Sequence, residues 1–121
     1  MIKDLKDIKP KEIKLFGGKA TNLGFLIQNG FNVPDGFCIS TQINKINKKI
    51  ENQIIKKFQN LKSAIAVRSS ATSEDLIDAS FAGQFDTFLN IKDERDLLNS
   101  IEKCWKSVKS KRALSYLKDK T

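Results

Sequence analysis

The stretch AVRSSATSEDLIDASFAGQFDTFLNI, Ala66–Ile91, decides how this chain is read. The apolar run that leads into it, Ala64 to Arg68, reads as a buried strand, and TFLNI (87–91) reads as another after a loop that holds Gly83. Between them a cation, Arg68, stands where the first strand ends, facing small hydroxyl residues and an acidic pair. A planar guanidinium on a rigid strand can grip two oxygens of a phosphate, and Gly83 would let backbone N–H groups approach the same anion. The Thr87 hydroxyl lies four residues on, at the entrance to the next strand. An ion pair between Arg68 and Glu74 or Asp75, with SSATS as a turn or capping segment, accounts for the same residues. The residues alone leave both readings open.

A second loop, Phe16-Gly17-Gly18-Lys19-Ala20, lies upstream. Paired glycines at a helix start allow a close approach to an anion, and Lys19 would add a mobile positive charge. The full phosphate-loop pattern GxxxxGK[ST] is missing, so a glycine-rich turn with a solvated lysine is the competing reading. Leu23, Leu26 and Ile27 at helical spacing predict a helix over Lys19 to Asn29, stopped by Gly30. Val33-Pro34-Asp35-Gly36 predicts a turn, and Phe37 to Ser40 a short strand. Thr41 is the expected N-cap of a helix over Gln42 to Asn60, with Ile43, Ile46, Ile50, Ile54 and Phe58 along one stripe. Leu97, Leu98, Ile101, Trp105 and Val108 predict a helix over Glu94 to Val108, and a fourth helix is expected over Lys111 to Lys118. Alternating elements of this kind argue for an α/β or α+β layered fold.

Composition narrows the function. With 121 residues the chain has room for one modest core, and no apolar run approaches the roughly 20 residues that cross a bilayer. The N-terminus MIKDLKDIKP lacks the apolar centre of a signal peptide, so a soluble, cytoplasmic chain without a membrane partner is expected. There is no histidine, which excludes a Ser-His-Asp or Cys-His centre and a phosphohistidine on this chain. Cys38 and Cys104 form no CxxC pair, and no zinc site is expected. The net charge of +8 comes chiefly from lysine; only Arg68, Arg95 and Arg112 are arginines among the 22 basic residues. Acidic residues interleave with the lysines and no aromatic platform accompanies them, so nucleic acid is not the expected partner.

Three segments together carry a family resemblance. LFGGKATNLGFLIQNGFNVPDGFCIST (15–41) resembles the opening of the pyruvate- and ATP-binding domain of phosphoenolpyruvate synthase, the pyruvate, water dikinase. The stretch 66–91 is similar to that domain's second signature, and SIEKCWKSVKSKRALSYL (100–117) to the helical segment after it. Rifampicin phosphotransferase and pyruvate, phosphate dikinase share the architecture, and the serine pair of VRSSA is more like the synthase and the rifampicin enzyme.

The resemblance implies the first subdomain of an ATP-grasp domain over 1–121, a small mixed sheet flanked by helices. Lys19 and Arg68 then correspond to residues that contact ATP phosphates. Gly83 and Thr87 correspond to positions lining them, with Gln84 and Asp86 in the same loop. In the complete enzymes ATP phosphorylates a histidine on a swivelling domain, which then serves pyruvate on a third. Magnesium is implied as well, held by acidic and amide side chains of a second subdomain outside this chain. The chain is therefore expected to be inactive alone and to need the remainder of the dikinase, in cis or in trans. The alternative is a non-catalytic module that keeps nucleotide or anion binding, or part of a rifampicin phosphotransferase-like enzyme. Relatives are also expected to carry a longer helical insertion between FCIST and AVRSS.

Overall fold

In the computed structural model, which describes residues 2–43, 45–71, 87–107 and 112–118, five strands form one sheet. They are β1 (Ile2–Asp4), β2 (Gly36–Ile39), β3 (Ile65–Ala71), β4 (Thr87–Ile91) and β5 (Arg112–Lys118), in the spatial order β1-β2-β5-β3-β4. The α/β class holds, with one correction: every described pairing is antiparallel, not mixed.

Side-chain alternation along the strands separates two apolar layers. Phe37, Ile39, Ile65, Val67 and Ile91 point to one face, where they meet α2 (Lys48–Leu61) and α3 (Glu94–Ser107). Those helices contribute Ile54, Phe58 and Leu61, and Leu97, Ile101 and Cys104, each at the three- or four-residue spacing of a helix stripe. Cys38 points the other way, into a smaller cluster with Leu5, Ile8 and two residues of α1 (Ile13–Gln28), Phe16 and Ala20. The sheet thus lies between α1 on one side and α2 with α3 on the other.

The α1 layer is fastened to the N-terminal segment by contacts that depend on composition. A Cβ at Gly24 would stand 2.4 Å from the Leu5 carbonyl oxygen and 3.0 Å from that of Ile8, so only glycine allows this approach. Gln28 Nε2 donates to the carbonyls of Lys6 and Ile8 at 2.8 and 3.0 Å. At the C-terminus of α1 the Gly30 N–H donates to Ile27 O and the Phe31 N–H to Leu26 O, with Gly30 at φ 83°. This is a Schellman closure, and it is the stop expected at Gly30.

Three expectations need correction. The strand expected over Ala64 to Arg68 runs over Ile65–Ala71, so Arg68 stands inside β3 and not at its end, and Ser69 and Ser70 pair with β5. The second helix begins at Lys48, not Gln42, because Asn47 supplies its cap: Asn47 Oδ1 accepts from the Ile50 N–H at 2.8 Å. Ile43 and Ile46 still pack on the α2 and α3 cluster, but from the preceding loop. Thr41 caps nothing there and bonds to α1 instead, through its N–H to Leu15 O (2.8 Å) and its Oγ1 to Lys14 O (3.3 Å). Residues 112–118, expected as a helix, form β5, which fills the slot between β2 and β3. Without it, facing edges of both strands would lack ladder partners, so pairing overrides local propensity. The helix expected to Val108 is described to Ser107, and Val108 lies outside the described residues.

Candidate phosphate-binding site

The site is built where α1 crosses β3. Inside α1, Gly17 has φ 81° and ψ 165°, a backbone region essentially reserved for glycine. The helix is therefore one turn, Ile13–Phe16, a break, and a second helix running from Gly18 to Gln28. The break places Gly18 and Lys19 in the first turn of a new helix, whose leading amides have no intrahelical acceptor and whose dipole favours an anion. The glycine-rich start of helix one anticipated from FGGKA is present, with an additional helical turn before it.

Arg68 reaches the same region from the sheet. It alternates with Val67, which faces α2 and α3, and so projects toward α1. Its Nε is buried and has no hydrogen-bond partner among the described residues. Lys19 and Arg68 come close enough to repel each other. Partial desolvation is the first cause that holds the Lys19 ammonium below its ordinary pKa of 10.5, and the Arg68 charge is the second. Two cations brought together from positions 19 and 68, with no carboxylate between them among the described partners, form an electropositive corner suited to an anion.

The register across the sheet adds Thr87. Ile65 pairs with Ile91, but Val67 pairs with Phe88 and Arg68 with Thr87, because β4 carries one extra residue in between. Asn90, at φ 60°, lies in this bulge, and Leu89 is left exposed. A regular ladder would have set Phe88 opposite Arg68. The bulge thus moves Thr87 into the row that runs Lys3, Cys38, Ser115, Arg68, Thr87 across the five strands. Gly83, Gln84 and Asp86 lie outside the described residues, as do Glu74 and Asp75, the other partners considered for Arg68.

Thr21 was not anticipated from the sequence. It is buried on α1, and its Oγ1 has no hydrogen-bond partner among the described residues, a state that few buried hydroxyls keep. A hydroxyl residue three positions before the buried Gly24, on the inward stripe of an otherwise apolar helix, is the signal that marks it. Among the described residues no group of three or more Cys, Asp or Glu side chains could hold a metal ion. A separate cleft of about 210 Å³, lined by Asp4, Ile27, Asp35, Phe37, Lys57 and Leu61 among others, lies away from the Lys19–Arg68 corner, and none of the candidate residues lines it.

Residues 43–121 match the family described as the pyruvate phosphate dikinase AMP/ATP-binding domain. The chain is 37% identical, over 87% of its length, to the uncharacterized phosphotransferase YvkC of Bacillus subtilis. It is 33% identical over 95% of its length to a phosphoenolpyruvate synthase of Helicobacter pylori, and 34% identical over 96% to a rifampicin phosphotransferase of Bacillus subtilis. The chain spans 16%, 21% and 19% of the length of these relatives, respectively. The alignment with the synthase runs over 168 positions against a chain of 121 residues, so that relative carries tens of residues that this chain lacks. No described helix is long and apolar enough to cross a membrane.

Proposed function

Because the chain belongs to the family of the pyruvate phosphate dikinase AMP/ATP-binding domain, we propose that the Lys19–Arg68 corner grips the phosphates of ATP. Arg68, fixed on β3, supplies a planar fork, and Lys19 supplies a mobile ammonium from the first turn after Gly17. Thr87 stands beside Arg68 in the row, and the family resemblance assigns Gly83 and Gln84 to the same phosphates. The observation that carries this reading is the approach of two cations, distant in sequence, where α1 crosses β3, with a buried guanidinium nitrogen that has no partner among the described residues.

The chain is the first subdomain of an ATP-grasp unit and contributes the donor side of a phosphotransferase. A second subdomain, the adenine pocket and the magnesium ligands come from the remainder of the enzyme, in cis or in trans. When bound, magnesium neutralises phosphate charge during transfer. The residues of this chain bind and orient the triphosphate. A histidine on another domain receives the phosphoryl group, since this chain has none. The final acceptor is pyruvate in the synthase reading and an antibiotic in the rifampicin reading. The similar identities to both kinds of relative keep both acceptors in view. The work is that of a cytoplasmic enzyme.

Titration of the chain with ATP, followed by calorimetry, tests the site. Arg68→Ala and Lys19→Ala are each expected to weaken binding about tenfold or more, the loss of one charge-assisted contact. Affinity unchanged by both substitutions contradicts the assignment.

A further inference from the structure

The break at Gly17 raises a question of hydrogen bonding. In an unbroken helix the Gly18 and Lys19 N–H groups would donate to the carbonyls of Lys14 and Leu15, four residues back. Both of those carbonyls already have donors from outside the helix. Thr41 Oγ1 donates to Lys14 O at 3.3 Å, and the Thr41 N–H donates to Leu15 O at 2.8 Å. The next carbonyl, that of Phe16, accepts from Cys38 Sγ at 3.7 Å. All three donors come from β2 or the residue just beyond Ser40 at its end. The end of β2 therefore closes off the short first turn of α1 and satisfies carbonyls that an interrupted helix would otherwise leave orphaned.

We propose that Thr41 is a positioning residue for the phosphate site: by occupying the Lys14 and Leu15 carbonyls it holds α1 open at Gly17 and keeps the Gly18 and Lys19 amides available to an incoming phosphate. Thr41 does not touch the anion. It acts through the backbone of residues 14 to 19, and it also sets where the Lys19 side chain emerges. The inference rests on the reading of the Lys19–Arg68 corner as a phosphate site, and it assigns a task to a residue that the sequence pattern would spend on a helix cap.

Two substitutions separate the two bonds. Thr41→Val removes the hydroxyl and keeps the N–H, whereas Thr41→Pro removes the N–H to Leu15 as well. Thr41→Ser keeps both and serves as rescue. Amide hydrogen exchange of Gly18 and Lys19, measured by NMR on the chain without ligand, reads the break directly. Tripolyphosphate titration reads its consequence. Protection of these two amides is expected to rise about tenfold in Thr41→Val and further in Thr41→Pro, as the helix closes across Gly17. Affinity for tripolyphosphate should fall about threefold to tenfold in step, with Thr41→Ser like the wild type. If Thr41→Pro fails to fold, Thr41→Val alone decides.

Unchanged protection and affinity in Thr41→Val, while Arg68→Ala and Lys19→Ala still weaken binding, overturn the role of Thr41 and leave the site intact. Failure of the wild-type chain to bind tripolyphosphate overturns the site and this role with it.

Discussion

The two faces of the sheet are built by opposite rules. On the side of α2 and α3, helix stripes and strand residues meet in one continuous apolar layer, and the helices run without interruption. On the side of α1 the apolar cluster is small, the helix is broken at Gly17, and two buried polar atoms, Arg68 Nε and Thr21 Oγ1, lack partners among the described residues. The first face supplies stability and asks nothing of a ligand. The second leaves hydrogen-bonding capacity unmet among the described residues, which the proposed phosphate would satisfy. A sheet of this size tolerates such a face because the other is packed in the ordinary way.

Substitutions on the two faces should therefore separate stability from binding. The largest effect is expected for Ile101→Ala in the α2 and α3 layer, fully buried in the wild type. It should lower the unfolding free energy by about 2–5 kcal/mol in chemical denaturation, with ATP affinity of the folded fraction unchanged. A drop in affinity on that face would erase the contrast. Gly24→Ala comes next, since its Cβ meets backbone and not a yielding side chain. A loss of about 3 kcal/mol is expected, at the upper end of overpacking costs, together with loosening of the N-terminal segment seen as faster exchange around Leu5 and Ile8.

Arg68→Met should do the reverse of Ile101→Ala. Removing a buried donor that has no partner among the described residues leaves stability unchanged or raises it by about 1 kcal/mol, while phosphate binding weakens about tenfold or more. Marked destabilisation by Arg68→Met would instead favour the ion pair with Glu74 or Asp75.

Titration of the free protein gives smaller effects. The folded state holds Lys19 below its ordinary pKa, so folding disfavours the charged form. At pH values below the folded pKa the lysine is charged in both states and the full penalty is present. As pH rises from the folded value toward 10.5, the unfolded chain binds more protons than the folded one, and stability increases. Lys19→Gln should flatten that rise in a pH series of melting curves. The smallest effect belongs to Glu12, whose carboxyl is held below its ordinary pKa first by the hydrogen bond from Lys3 and then by the Lys9 N–H. That contribution is present above the ordinary value of 4.5 and is lost as pH falls through the lowered one. Because the pair is partly exposed, Glu12→Gln should cost less than about 1 kcal/mol at neutral pH.

What could be read from the sequence follows the same division. The elements on the α2 and α3 face announce themselves: Ile54 and Phe58, or Leu97 and Ile101, repeat at helical spacing, and Gly30 marks the end of α1. β5 could not be read that way. Arg112 to Lys118 carries no decisive period, and its strand state comes from the slot between β2 and β3, which is a property of the whole sheet. β1, three residues long, is likewise defined by pairing with residues 37–39 and not by its own pattern. At the site, FGGKA and Arg68 were legible as separate anion signals. Their meeting was not, since it needs α1 laid across β3. The bulge that sets Thr87 opposite Arg68 has no signature in TFLNI, and Thr41 looked like a cap because Asn47 is an equally good one six residues later.

The central claim is that Lys19 and Arg68 hold one and the same triphosphate. A double-mutant cycle of ATP affinity, using Lys19→Ala, Arg68→Ala and the pair together, tests it most directly. The account predicts that each single substitution weakens binding and that the two effects are coupled by about 1 kcal/mol, as for groups sharing one partner. Wild-type affinity in both single variants, or losses that simply add, would contradict it.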